Sequence, residues 1–219
     1  MRLQSAIFDM DGTLINSMEM WRFLGENFLR SRGLEPRERF WEDVAVETID
    51  DAAAYYQKAY CLPGTAAEIA AEMARQVEDF YAHRVQVRAG VEKFLTLLRM
   101  EGVSMYVATN TDRPLTEAAL RHTGLDPFFQ GLLTCAEVGS RKSQSAEIFE
   151  RAMRRLRSNK RNTVIFEDSL PAIRTAKRAG FRVAGVYEPL FLRDQAEIEA
   201  LSDYYIRSFE EFVDVTSLV

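Results

Sequence analysis

TVIFEDSLPAIRTAKRAGFRVAGVYE, residues 163–188, is the stretch whose reading decides the fold. TVIFED is a short apolar run of strand composition. SLPAIRTAKRAG then places apolar residues at helical spacing behind a proline-bearing start and closes on glycine, and FRVAGVYE is a second apolar strand. The same rhythm extends backward to Arg88: helix GVEKFLTLLRMEG, strand VSMYVAT, helix RPLTEAALRHTG, strand GLLTCAE and helix AEIFERAMRRLR. It extends forward to a weak last strand, DYYIRS, and a short terminal helix. Strands and helices alternating at these lengths imply an α/β fold, a mostly parallel sheet covered on both faces.

The N-terminal residues Leu3–Phe8 favour another strand, ended by the acidic-glycine turn DMDG. Between it and Arg88 the character changes. WRFLGENFLRSRGL, ETIDDAAAYYQKAYCL and TAAEIAAEMARQVEDFY are amphipathic helical stretches broken at Gly33 and at Pro63-Gly64, with no strand among them. The expected architecture is a doubly wound Rossmann-like core, residues 1–15 and 88–219, interrupted by an all-helical insert, residues 16–87.

Composition narrows the function classes. The 219 residues are 47% hydrophobic and 28% charged, an ordinary globular balance. The net charge of −5 argues against a general nucleic-acid binder. All of the acidic excess lies in residues 16–87, which carry 13 acidic and 8 basic side chains, whereas the rest carries 20 of each. The basic run RAMRRLRSNKRN (Arg151 to Asn162) reads as a solvated helix face. No apolar run reaches a membrane-spanning length and the N-terminus does not read as a signal peptide, so a cytoplasmic protein with no membrane partner is expected. Cys61 and Cys135 belong to no metal-type pair and read as reduced thiols.

Open parallel sheets bind ligands beyond the carboxyl ends of their strands. There the sequence places Asp9 and Asp11, then Thr109 and Asn110, then Lys142, then Glu167 and Asp168. So many carboxylates converge comfortably only around a cation, and Mg²⁺ suits an oxygen-rich set completed by phosphate and water. Lys142 and helix N-terminal amides near Asn110 and Thr111 would hold an anionic phosphoryl group. In DMDGT an extended chain points Asp9 and Asp11 the same way, and Gly12 permits a sharp turn. One carboxylate can then attack phosphorus while its neighbour protonates the leaving oxygen and later activates water.

FDMDGTLINS, YVATNT, VGSRKSQSAEIF and VIFEDSLPAIRTAKRAGF resemble, in order, the four motifs of the haloacid-dehalogenase-like hydrolases. The resemblance covers nearly the whole chain. It is nearest to the subgroup with a helical cap after the first motif, which holds phosphoglycolate-phosphatase-like and beta-phosphoglucomutase-like enzymes. It implies Asp9 as nucleophile and Asp11 as acid/base with its backbone carbonyl on the metal. It implies phosphoryl binding by Thr109 and Asn110, Lys142 bridging nucleophile and phosphate, and Asp168 on Mg²⁺ with Glu167 behind it. The lysine loop departs from the family pattern. Ser145 and Ala146 stand where proline is expected and Glu147 falls one residue late, so Arg141 competes with Lys142 as the working cation. Pro171-Ala172 replaces a small residue and glycine.

The leading expectation is a Mg²⁺-dependent phosphatase of a small phosphorylated metabolite, its insert acting as a lid. A sugar phosphomutase of the same family tends to carry valine after DxDG and a glycine-x-serine-arginine cap loop. Thr13 and RERFWEDVAVETID match neither. A dehalogenase would lack Asp11, a receiver domain would be about half this length, and a decayed phosphate-binding module would not keep all four motifs. Arg113 is a candidate for a distal substrate group; Met18, Met20 and Trp21 are candidates for a pocket floor; His83 and His122 lack partners in the sequence.

Overall fold

A computed structural model describes residues 3–37 and 49–215. It divides into two compact units, Met1–Ser17 with Val85–Val219, and Met18–Arg84.

The first unit is built on six parallel strands: β1 (Ser5–Phe8), β2 (Ser104–Thr109), β3 (Leu132–Thr134), β4 (Thr163–Glu167), β5 (Arg182–Val186) and β6 (Tyr204–Ile206). They lie in the order β3-β2-β1-β4-β5-β6. The chain runs outward from β1 on one side, returns to its other side, and runs outward again, so the winding reverses at β1. β1 and β4 are buried along their whole length, which is why both read as unbroken apolar runs. Their register pairs Phe8 with Phe166, and the two rings stack at 4.3 Å. Phe94 packs edge-on against both. It belongs to α4 (Val91–Met100), whose N-cap Gly90 has φ +81°; a side chain there would run into the backbone of Glu210.

The remaining helices of this unit are α5 (Arg113–His122), α6 (Cys135–Val138), α7 (Glu147–Arg155), α8 (Leu170–Arg178) and α9 (Gln195–Leu201). Pro114 and Pro171 stand in the first turns of α5 and α8, where no backbone donor is missed. The second unit contains α1 (Met18–Ser31), α2 (Ile49–Ala59) and α3 (Ala66–His83), with no strand among its described residues. Thr65 and Glu68 close a reciprocal capping box at the start of α3. Arg32 pairs with Glu72, and the Trp21 indole donates to the Tyr81 hydroxyl at 2.8 Å. No helix among the described residues is long and apolar enough to cross a membrane.

Three local readings change. GLLTCAE is not strand throughout: β3 stops at Thr134, whose hydroxyl accepts from the Glu137 amide and starts α6. α9 is an element that its periodicity does not announce, because Ile198 is its one buried residue. The terminal helix is a single 3₁₀ turn, Phe209–Glu211. Within the basic run, Arg151 and Arg154 pair with Glu147 and Lys160 pairs with Glu150. The segment RERFWEDVAVETID falls, except for its ends, outside the described residues.

Candidate active site

Register alone puts the tips of β1 and β4 side by side, and the Asp9 amide donates to the Phe166 carbonyl at 2.9 Å. Asp9, Glu167 and Asp168 therefore leave adjacent strands together. Each offers a carboxylate oxygen within 4.8 Å of the others, and all three residues are buried. Lys142, 1% exposed, enters the same space from the segment before α7. Its ammonium donates to Asp9 Oδ1 and to Glu167 Oε2, the latter at 2.8 Å. Arg141 is exposed, so the ammonium of Lys142 is the cation that this loop delivers to Asp9.

Asp11 is held differently. β1 ends at Phe8, and the Met10 carbonyl accepts from the amides of Leu14 and Ile15 at 2.9 and 3.2 Å. This tight turn, with Gly12 at φ +78°, carries Asp11 just past the end of the strand. Its carboxylate accepts from the hydroxyls of Ser17 and Thr111, each at 2.6 Å. Ser17 and Thr111 are the last residues of the motifs FDMDGTLINS and YVATNT, yet sequence reasoning missed both as partners of Asp11. Thr109 is buried, and its hydroxyl accepts from the Thr111 amide at 3.1 Å. Asn110 is exposed; its Oδ1 accepts from the Cys135 thiol at 3.0 Å, which leaves the amide NH₂ as the group to offer a ligand.

Arg113 lies apart in its bonding. It pairs with Glu137 at 2.7 Å and Glu117 at 3.2 Å and donates to the Leu132 carbonyl, so its donors join α5 to β3 and α6. His83 and His122 are exposed. Met18, Met20 and Trp21 are half-buried in the helical unit.

The electrostatics point to a missing positive charge. Asp9, Glu167 and Asp168 against Lys142 sum to three negative charges and one positive. Burial, then the Glu167 carboxylate, pushes the Asp9 carboxyl from 3.8 up to about 8 despite the opposing pull of Lys142, with Asp11 adding to the push. Burial followed by Asp9 and Glu167 raises Asp168 well above the carboxylate range. Burial alone would lower Lys142, but Asp9 and Glu167 outweigh it and hold the ammonium charged. Asp168 Oδ2 is buried with no hydrogen-bond partner, an arrangement costly without a ligand. Both Glu167 oxygens are already used, Oε2 by Lys142 and Oε1 by the Ser169 amide at 3.2 Å. The residues thus fit a divalent cation on Asp9 and Asp168, with Glu167 acting one step removed.

This charge balance carries a pH dependence. Between about pH 4 and 8 the folded, cation-free protein keeps a proton on Asp9 that the unfolded chain has released. Its stability is expected to fall as pH rises through that window, by up to ~1.4 kcal/mol per pH unit from this group. Urea unfolding in EDTA from pH 5 to 8 tests this, and excess divalent cation should flatten or reverse the trend. A cation-free stability that climbs across the same range contradicts the assignment.

Comparison with known proteins agrees with this geometry. A family model described as haloacid dehalogenase-like hydrolase matches residues 3–180. The chain is 25% identical to pyrophosphatase PpaX of Halalkalibacterium halodurans, over 100% of this chain and 99% of that protein. It is 30% identical to validoxylamine A 7'-phosphate phosphatase of Streptomyces hygroscopicus subsp. limoneus, over 94% of each. Among solved structures, CbbY from Rhodobacter sphaeroides in complex with phosphate superposes with a TM-score of 0.76 at 24% identity, covering 99% of each chain. With the family model spanning β1 and β4, whose tips bring the acidic cluster together, and the segment that carries Lys142, the chain belongs to the haloacid dehalogenase-like hydrolases.

Proposed function

We propose that the protein is a Mg²⁺-dependent phosphatase that moves the phosphoryl group of a small phosphomonoester onto Asp9 and then to water. The observation that carries this reading is the buried cluster of Asp9, Glu167 and Asp168 with Lys142 inside it. Relatives named as phosphatases across nearly the full chain support it.

Asp9 Oδ attacks phosphorus. The leaving oxygen takes a proton from Asp11, and Asp11 then takes one from the water that attacks the phosphoaspartate, so the enzyme returns to its starting state. The hydroxyls of Ser17 and Thr111 fix the Asp11 carboxyl through both steps. Lys142 keeps Asp9 aligned and offsets charge as the phosphoryl group arrives. The Asn110 amide and the backbone of the Thr109–Thr111 turn supply donors to phosphoryl oxygens. Asp9, Asp168 and the Asp11 carbonyl would hold Mg²⁺, which when bound neutralises the carboxylates and the transferring group. Arg113, committed to Glu137, is read as a brace for this turn rather than a direct ligand. The helical insert is read as the cap that selects the leaving group, its boundary falling near residues 16–87.

The test is turnover of an aryl phosphate and a panel of phosphorylated metabolites. Activity is expected with Mg²⁺, and chelation with EDTA should abolish it. Turnover that survives complete chelation rules out the cation's part. Absence of turnover on every phosphomonoester with Mg²⁺ present overturns the reading.

A further inference from the structure

Arg88 lies in none of the four motifs, yet its guanidinium makes three hydrogen bonds beside the catalytic loop. Its guanidinium donates from Nη1 to the Gly12 carbonyl and to Glu188 Oε2 at 2.7 Å, and from Nη2 to the Tyr187 carbonyl at 2.6 Å. The pair is nearly buried, with the Arg88 and Glu188 side chains 14% and 9% exposed. Gly12 follows β1 and Tyr187-Glu188 follow β5, two strands separated by β4. One side chain therefore ties the loop carrying Asp11 to the far side of the strand tip carrying Asp168. Glu188 in turn adds to the field on Asp168.

The backbone fixes the base of this side chain. The Arg88 amide donates to Leu14 O at 3.0 Å, the Asn16 amide donates to Gln86 O at 2.9 Å, and Ile15 bridges Val87 in antiparallel fashion. The segment leaving the core and the segment returning to it are thus paired, and Arg88 sits on the returning one. A planar fork with several donors can satisfy acceptors from two loops at once; a lysine ammonium, a point donor, cannot hold the same span.

We propose that Arg88 is a positioning residue: by clasping the Gly12 carbonyl against Tyr187 and Glu188 it holds the Asp9–Asp11 turn in its working shape. This rests on the reading of Asp9 and Asp11 as the catalytic pair. It is separate from substrate binding, so its loss should appear in kcat rather than KM.

The experiment compares wild type, Arg88→Ala and Arg88→Lys by kinetics on an aryl phosphate and by amide hydrogen exchange. Arg88→Ala is expected to lower kcat ~100-fold with KM within about threefold, the scale of a small misplacement of reacting groups. Free guanidinium should restore part of kcat and methylammonium should not. A cavity of ≈ 200 Å³ lined by Asn16, Arg88, Ala89, Val186 and Ser208 gives it access. Arg88→Lys should lose ~10-fold, since charge remains without the fork, and it decides the matter if the alanine variant does not fold. Exchange of amides 10–15 should rise at least ~10-fold in either variant, with β4 unchanged.

A kcat within threefold of wild type, a loss confined to KM, or no response to guanidinium overturns the proposal. If wild type itself lacks turnover, the phosphatase reading is what fails, and exchange of residues 10–15 alone decides the role of Arg88: unchanged protection overturns it.

Discussion

Asp9→Asn is expected to lower kcat by at least ~10⁴-fold on any phosphomonoester the protein accepts, while KM changes little, because the lost group forms a bond rather than binding the substrate. The substitution is nearly isosteric, and the amide can still accept from Lys142 through Oδ1, so the strand tip should keep its shape. Lys142 also retains Glu167 as a partner. Circular dichroism is expected to match wild type, and in EDTA near neutral pH the variant should unfold at or above the wild-type temperature, because its amide has no proton to release on unfolding; together these separate lost chemistry from lost fold. Asp11→Asn should also be deficient, but it can still accumulate the phosphoryl adduct if the leaving group needs no proton, as with an activated aryl phosphate. A pair of variants that fail in different steps is a stronger result than two that simply fail. An Asp9→Asn protein with wild-type kcat would remove the nucleophile from the account.

Lys142→Met is expected to cost about 3–5 kcal/mol of stability, the usual penalty for removing one partner of a buried ion pair and leaving the other uncompensated. Here two partners are left, Asp9 and Glu167, both buried and facing each other. Their repulsion should make the loss larger at pH 8 than at pH 6, since protonation relieves it at the lower value. Activity should fall with it, because Asp9 loses the donor that aligns it. Urea unfolding at both pH values with EDTA, then with excess Mg²⁺, measures the effect, and the cation is expected to recover part of it. A Lys142→Met protein as stable as wild type at pH 8 would mean that the two carboxylates find another way to lose charge. That result would weaken the case for a cation between them.

Much of this was legible from the chain because parallel strands buried on both faces must be apolar throughout, and a run such as VIFEDS stops being apolar where the sheet stops. The positions of Asp9, Glu167 and Asp168 follow from that change. The register of Phe8 on Phe166 then brings them together without any further signal. Lys142 was harder to place, since its loop departs from the family pattern and Arg141 stands beside it; burial separates the two where sequence does not. Beyond β1, the turn closed on the Met10 carbonyl carries Asp11, and no spacing in the sequence announces its hydrogen bonds.

What the sequence does not carry is long-range pairing of side chains with backbone or hydroxyl groups. Thr111 reaches Asp11 across 100 residues and Arg88 reaches Gly12 across 76, and neither contact has a period or spacing to betray it. Arg113 illustrates the converse: its place at the start of α5 suggests a ligand, yet Glu137, fixed by the capping box of α6, takes its guanidinium first. A charged residue near a strand tip is a candidate until its partners are known. The helical unit shows the same limit on a larger scale, since its amphipathic spacing predicts three helices but says nothing of which residues meet a substrate.

The most direct measurement is borohydride reduction of the protein during steady-state turnover, followed by peptide mass spectrometry. Borohydride converts an aspartyl phosphate to homoserine, so residue 9 should be read as homoserine in wild type and not in Asp9→Asn. Ongoing turnover with residue 9 unmodified, or homoserine at residue 11 instead, would contradict covalent catalysis by Asp9.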